Sequence, residues 1–298
     1  MAAVLAAIVL STGAGVAVER RDPERTRRAI TRLLDLLLWV VSPALAFIVL
    51  ARFEPTAGAG AGLLFGHLAA VVSGAAGYLA ATRLLGLRGP QAGALTVAVL
   101  FGNTGYLGIP LAAALLGREA IAPAVAYDLL VSGTVFSIGA FAVGAALGTR
   151  AGGSPRERFR AYLTRNPVLA ASVLGLLAPD ALVPDAALAA AEGLALVLLP
   201  VGFFLLGAHL AEVPLRAAGA PVAAAAVIKL GIAPAVVAGA SALTLDVPPA
   251  YLLLAAMPAG INSLLVAHAF GLDLRLTAAI VAWTHAVVVV VAGAAALL

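Results

Sequence analysis

A chain of 298 residues with 63% hydrophobic and only 11% charged residues is no soluble domain, for which about 25% charged residues is ordinary. Its mean hydropathy of +1.10 makes it an integral membrane protein. The lack of cysteine excludes disulfide and thiol chemistry. A net charge of +4, carried by seventeen arginines and one lysine, reports membrane topology rather than nucleic-acid binding.

At ~20 apolar residues per span, the chain is expected to form ten transmembrane helices, at about 2–18, 30–51, 60–84, 90–115, 119–147, 167–179, 186–209, 215–244, 248–270 and 275–297. Met1–Val18 lacks a basic leader region and a cleavage site, so it reads as the first helix rather than a removed signal peptide. The segment 19–32 that follows reads as an arginine-rich loop. The second span carries Trp39-Val-Val-Ser-Pro43. The fourth holds Phe101-Gly-Asn-Thr-Gly-Tyr-Leu-Gly-Ile-Pro110, three glycines, an asparagine and a proline inside an apolar run. Pro110 has no N–H and clashes with the carbonyl four residues back, so a break or kink is expected there. The fifth span contains Asp128, the seventh Val197-Leu-Leu-Pro200 and the eighth the only lysine, Lys229. The ninth contains a second interrupted stretch, Met257-Pro-Ala-Gly-Ile-Asn-Ser263.

The arginines orient this map. With 19–32 in the cytoplasm, that side holds Arg20, Arg21, Arg25, Arg27, Arg28, Arg32, Arg83, Arg88, Arg150, Arg156, Arg158, Arg160, Arg165, Arg216 and Arg275. The other side holds only Arg52 and Arg118. The asymmetry fits a multi-pass plasma-membrane protein with both termini outside. Five spans per half is an odd number, so a repeated half must insert upside down. Pro43 and Pro200 lie 157 residues apart, and Asn103 and Asn262 lie 159 apart. The expected fold is therefore all-α: a first five-helix repeat at 1–147, a cytoplasmic linker at 148–166 and a second, inverted repeat at 167–298.

Paired interrupted helices point to a transporter's binding site. Broken helices expose N–H and C=O ends with partial charges, and a carboxylate is welcome at the N-terminal ends. Asn103, Thr104, Gly105 and Pro110 on one side, and Pro258, Asn262 and Ser263 on the other, are the candidate substrate-binding residues. The blander reading is that Pro and Gly only permit tight helix crossing. Lys229 costs at least ~2.5–3.5 kcal/mol in mid-membrane, so it needs a partner or a cavity. It offsets the carbonyl ends of a broken helix or attracts an anionic substrate; the residues alone leave both open. Asp128 is the candidate for proton or sodium coupling, or else a partner for Lys229. The histidines His67, His209, His268 and His285 share no metal-ligand spacing, and His67 and His268 are suited to bonding across helices. No metal, cofactor or enzymatic motif is visible, and no Walker sequence supports ATP-driven transport.

Gly102-Asn-Thr-Gly-Tyr-Leu-Gly-Ile-Pro110 resembles the first-half signature of the auxin efflux carrier family. Met257-Pro-Ala-Gly-Ile-Asn-Ser263 and Ala267-His-Ala-Phe-Gly-Leu-Asp273 resemble its second, and Pro43 and Lys229-Leu-Gly-Ile-Ala-Pro234 are similar too. The resemblance implies ten helices in an inverted repeat, with the fourth and ninth broken and crossing near the membrane centre. It implies a scaffold of helices one, two, six and seven, and a mobile domain of three to five and eight to ten, moving as an elevator. It also implies organic-anion transport: auxin in plants, dicarboxylates such as malate or malonate in bacteria. The plant carriers have a long hydrophilic loop after helix five. Only 149–166 stands here, which favours a bacterial-type relative. Gly260 stands where a different small residue or Val is common.

The expectation is a secondary carrier of small organic anions. A sodium- or proton-coupled symporter or antiporter of related crossed-helix architecture is the alternative. That alternative usually puts an acid beside the crossing, and none flanks Asn103 or Asn262 in the sequence. Exposed apolar faces leave room for a homodimer.

Overall fold

A bilayer offers no partner to an exposed backbone, so apolar runs must close their hydrogen bonds internally as helices. The computed structural model describes residues 2–54, 56–150, 157, 160, 167–212 and 219–295. Among these residues the chain is all helical: α1 (Ala2–Arg21), α2 (Pro23–Leu50), α3 (Ala57–Leu84), α4 (Pro90–Leu100), α5 (Thr104–Leu116), α6 (Arg118–Leu147), α7 (Pro167–Leu177), α8 (Asp185–Glu212), α9 (Ala220–Leu243), α10 (Pro249–Ala255), α11 (Asn262–Phe270) and α12 (Leu274–Ala295). Six stretches, in α2, α3, α6, α8, α9 and α12, are long and apolar enough to cross a membrane. Most of the expected 148–166 linker, with Arg156, Arg158 and Arg165, lies outside the described residues, as does Arg216.

The structure corrects two expectations. The segment 19–32 is not a loop: α1 runs to Arg21 and α2 starts at Pro23, leaving Asp22 alone between them. Asp22 accepts from Arg25 N at 3.1 Å, Thr26 Oγ1 bonds Asp22 O at 2.7 Å, and proline occupies the first helical turn, where its missing N–H costs nothing. The fourth and ninth spans are interrupted as expected, each into two helices, but the first break falls at Phe101–Asn103, well before Pro110, which sits inside α5.

The reason Pro110 does not break the helix is visible in the turn before it. Ile109 N bonds Thr104 O, five residues back rather than four. The same wide turn precedes Pro43, where Ser42 N bonds Leu37 O, and Pro234, where Ala233 N bonds Ile228 O. Winding five residues per bond moves the carbonyl four back out of the proline ring's way, so the helix continues.

α1 packs along α8 through glycines. A Cβ at Gly15 would overlap the Phe204 carbonyl, and one at Gly207 the Thr12 carbonyl, the close approach that small residues permit between membrane helices. At one end, Arg52 pairs with Asp185 and donates to Val183 O at 3.0 Å, while Arg118 pairs with Glu192 at 3.5 Å. Arg52 and Arg118 are thus each held by an acid. Gly207→Leu is expected to separate α1 from α8 and cost about 1–3 kcal/mol, the usual range for overpacking. A thermal-unfolding series in detergent checks it, with Gly13→Leu, which meets open space, as the neutral control.

Candidate substrate site at the helix crossing

Each break strands backbone donors and acceptors deep in the protein, at about 1–3 kcal/mol for every group left unpaired. The two breaks satisfy one another. Asn103 N donates to Pro258 O at 2.8 Å and Gly260 N donates to Phe101 O at 3.1 Å, so Gly102 and Ala259 face each other as a minimal antiparallel bridge. Pro258 belongs here because it has no N–H to satisfy. A Cβ at Gly260 would overlap the ring of Phe101, so the close approach of the two breaks calls for glycine there.

α12 fastens the crossing from behind. Thr284 Oγ1 accepts Ala259 N at 3.2 Å, and the neighbouring His285 bonds the other break: its Nε2 lies 3.0 Å from Asn103 Nδ2. His285 Nδ1 lies 2.7 Å from Val281 O, which can only accept, so Nδ1 carries the proton and Nε2 accepts from the Asn103 amide. Lys229 Nζ donates to Ala255 O at 2.9 Å, at the carbonyl end of α10, where the helix dipole favours a cation.

On the open side, a cavity of about 380 Å³ lies against the crossing, in the size range of small-ligand sites. Its wall is formed by 101–106 and 260–262, by Asp128, Ser132 and Phe136 of α6, by Leu37, Ser42 and Leu45 of α2, and by Val201 and Gly202 of α8. Gly202 fits close against the Tyr106 carbonyl, the carbonyl four residues before Pro110 and thus denied its usual helical donor. Asp128 accepts a short hydrogen bond from Thr104 Oγ1. It opens a wide-wound stretch of α6, Asp128–Gly133 and Val135–Ala140, a form that recurs at functional sites.

The candidate residues therefore divide. Asn103, Thr104, Gly105 and Asn262 line the cavity together with Asp128. Asn103 and Thr104 are buried, and Asn262 is exposed to the cavity at the start of α11. Pro110, Pro258 and Ser263 do not line it. Ser263 Oγ is fully buried and finds no hydrogen-bond partner among the described residues. Lys229 lies behind the break on a second cavity of about 20 Å³, shared with Thr104 and Ser132. Asp128 and Lys229 are not paired: each bonds a different group.

Two more expectations change. The sequence has no acid next to Asn103 or Asn262, yet the fold brings Asp128 onto Thr104, one residue away. His285, grouped with the isolated histidines, touches the break. Its separation of 157 residues from Asp128 matches the spacing of Pro43 and Pro200, the one signal that could have singled it out. His67 does bond across helices, to Thr134 Oγ1 at 2.9 Å, while the His268 side chain is exposed. Among the described residues no three His, Cys, Asp or Glu side chains gather as a metal would require.

Residues 157–293 match the family model described as membrane transport protein, the auxin efflux carrier family. The comparison with curated proteins found no match.

His285→Leu leaves the Asn103 amide without its acceptor and is expected to destabilise the protein by about 1–3 kcal/mol. His285→Gln, which restores an acceptor, should recover part of this in the same thermal-unfolding assay. Lys229→Met, which strips the α10 carbonyl end of its donor, should cost a similar amount.

Proposed function

Starting from a multi-pass chain whose residues 157–293 match a family model of membrane transport proteins, we propose that it is a secondary carrier of small organic anions. The observation that carries this reading is the pair of broken helices, bonded to each other beside a cavity walled by Asn103, Thr104, Gly105 and Asn262. The Asn amides can both donate and accept, and so bridge helix ends to a carboxylate. α11 opens at Asn262 with the positive end of its dipole toward that wall.

In this reading α1–α6 and α7–α12 are two inverted repeats of five spans each. α4 with α5, and α10 with α11, form one broken span apiece. Pro110, Pro258 and Ser263 shape the crossing, and Lys229 stabilises its carbonyl end. The cavity separates the crossing and α6 from α2, α7 and α8. That boundary suits an elevator in which α1, α2, α7 and α8 stay fixed while the remainder slides. Both termini face outside the plasma membrane, and the scaffold's apolar outer face offers a homodimer contact.

A sodium-coupled carrier is the second reading, favoured by one contact: Asp128 on Thr104 at the break.

Thermal unfolding against malonate, malate and indole-3-acetate tests the main reading. A ligand that binds only the folded state at a hundred times its Kd adds about 2.7 kcal/mol. One of the three should raise the melting temperature of the wild type and leave Asn103→Ala and Asn262→Ala unmoved. Stabilisation by sodium alone would move the conclusion to the second reading.

A further inference from the structure

An anion-binding cavity is ordinarily lined by positive charge. This one has the opposite: among the described residues no Lys, Arg or His side chain lines it, and the only carboxyl on its wall is that of Asp128. The groups facing Asp128 do not compensate. From α5 come the Thr104 hydroxyl and the Tyr106 phenol. His67 of α3 is engaged elsewhere, with Leu63 O and Thr134 Oγ1. Tyr127 turns away to stack with Tyr251 of α10. α2, α7 and α8 present only apolar groups and Ser42, and Lys229 is engaged with Ala255 O behind the break. A carboxylate entering this space would meet an ionised Asp128. Like charges about 5 Å apart at an effective dielectric of ~20 weaken binding roughly 300-fold.

We propose that Asp128 is the proton site of a proton–anion symport, taking up one proton for each carboxylate bound at the crossing. This rests on the organic-anion reading above and deepens it. The proton comes from water in the cavity, toward which Asp128 keeps part of its surface. It bonds to a carboxylate oxygen and removes the negative charge. A protonated carboxyl is a donor as well as an acceptor. With Thr104 Oγ1 still donating to one oxygen, the other turns its new O–H to the entering anion, a charge-assisted bond of the stronger kind. Loss of the anion returns the proton to water, so charge and atoms balance in each half-cycle. A metal ion fits less well. Thr104 occupies Asp128 Oδ1 as a donor rather than presenting an oxygen, and no second carboxyl lines the cavity.

Calorimetric titration of the purified full chain with malonate and with indole-3-acetate tests the coupling. It is run between about pH 7 and 9, where both probes stay ionised because ordinary carboxyl groups titrate near ~4. Binding that requires protonated Asp128 weakens as its protonated fraction falls, so the apparent Kd should rise about tenfold per pH unit. Heats measured in two buffers of different ionisation enthalpy should give uptake of one proton. Asp128→Asn, neutral at every pH, should bind at the upper end of the range about as tightly as the wild type binds at the lower end, with no proton uptake. A misfolded variant cannot produce that gain. Asp128→Glu should keep the pH dependence. Binding that is flat with pH in the wild type, yet abolished by Asn103→Ala, overturns the symport and leaves the anion reading standing. So does binding that depends on sodium rather than on pH. Silence from both probes in wild type and Asp128→Asn alike overturns the anion reading and this inference with it.

Discussion

Two backbone hydrogen bonds, Asn103 N to Pro258 O and Gly260 N to Phe101 O, are the constraint on which the rest of this structure depends. A helix interrupted inside a membrane loses the self-sufficiency that makes helices admissible there. Neither interruption is tolerable alone. Brought together, each supplies what the other lacks, and the fold is arranged to keep them in contact. Gly260 leaves room for the Phe101 ring, Pro258 presents a carbonyl without an N–H of its own, and α12 adds Thr284 and His285 to two of the groups that remain. Lys229 takes up the carbonyl end of α10 from the far side.

The cavity follows from the same geometry. Where the helices stop, residues 103–105 and 260–262 replace continuous helical walls, and polar groups reach an otherwise apolar space. The wide turns before Pro43 and Pro110 fall at its edge, with Leu37 and Thr104 on the wall. Prolines therefore act here by loosening the winding of continuous helices, while the true breaks lie among the glycines. The charge arrangement is the less expected outcome: the single lysine is engaged behind the crossing and the single cavity carboxyl lies in front of it. Any account of transport has to reconcile an acidic wall with the cargo.

Much of this was legible in the sequence, but unevenly. The helices read well because their apolar runs are long and the bilayer length is fixed; α6 and α7 start within a residue of where hydropathy puts them. The corner at Asp22 did not, since a run of arginines signals water whether it is coiled or helical. The positions of Asn103 and Asn262 were visible as polar residues among glycines. The contacts of Asp128 and His285 were not. Asp128 lies one helix beyond the break it touches and His285 lies 182 residues from the Asn103 it bonds, and nothing local distinguishes a carboxyl or imidazole facing a break from one facing a neighbouring helix. Lys229 showed the same limit: its cost in the membrane demanded a partner, and two kinds of partner were equally consistent with its place in the chain.

What the sequence determined by itself was membrane residence, the approximate helices, the two interrupted stretches and their spacing, because these follow from hydropathy and from backbone chemistry that each residue carries with it. What only the tertiary structure decided was which stranded backbone groups meet, which side of the crossing each charge occupies, and that Thr104 and Asn103 are held by Asp128 and His285. Those outcomes depend on distances between segments far apart in the chain, and such distances are set by packing rather than by any residue's own preference.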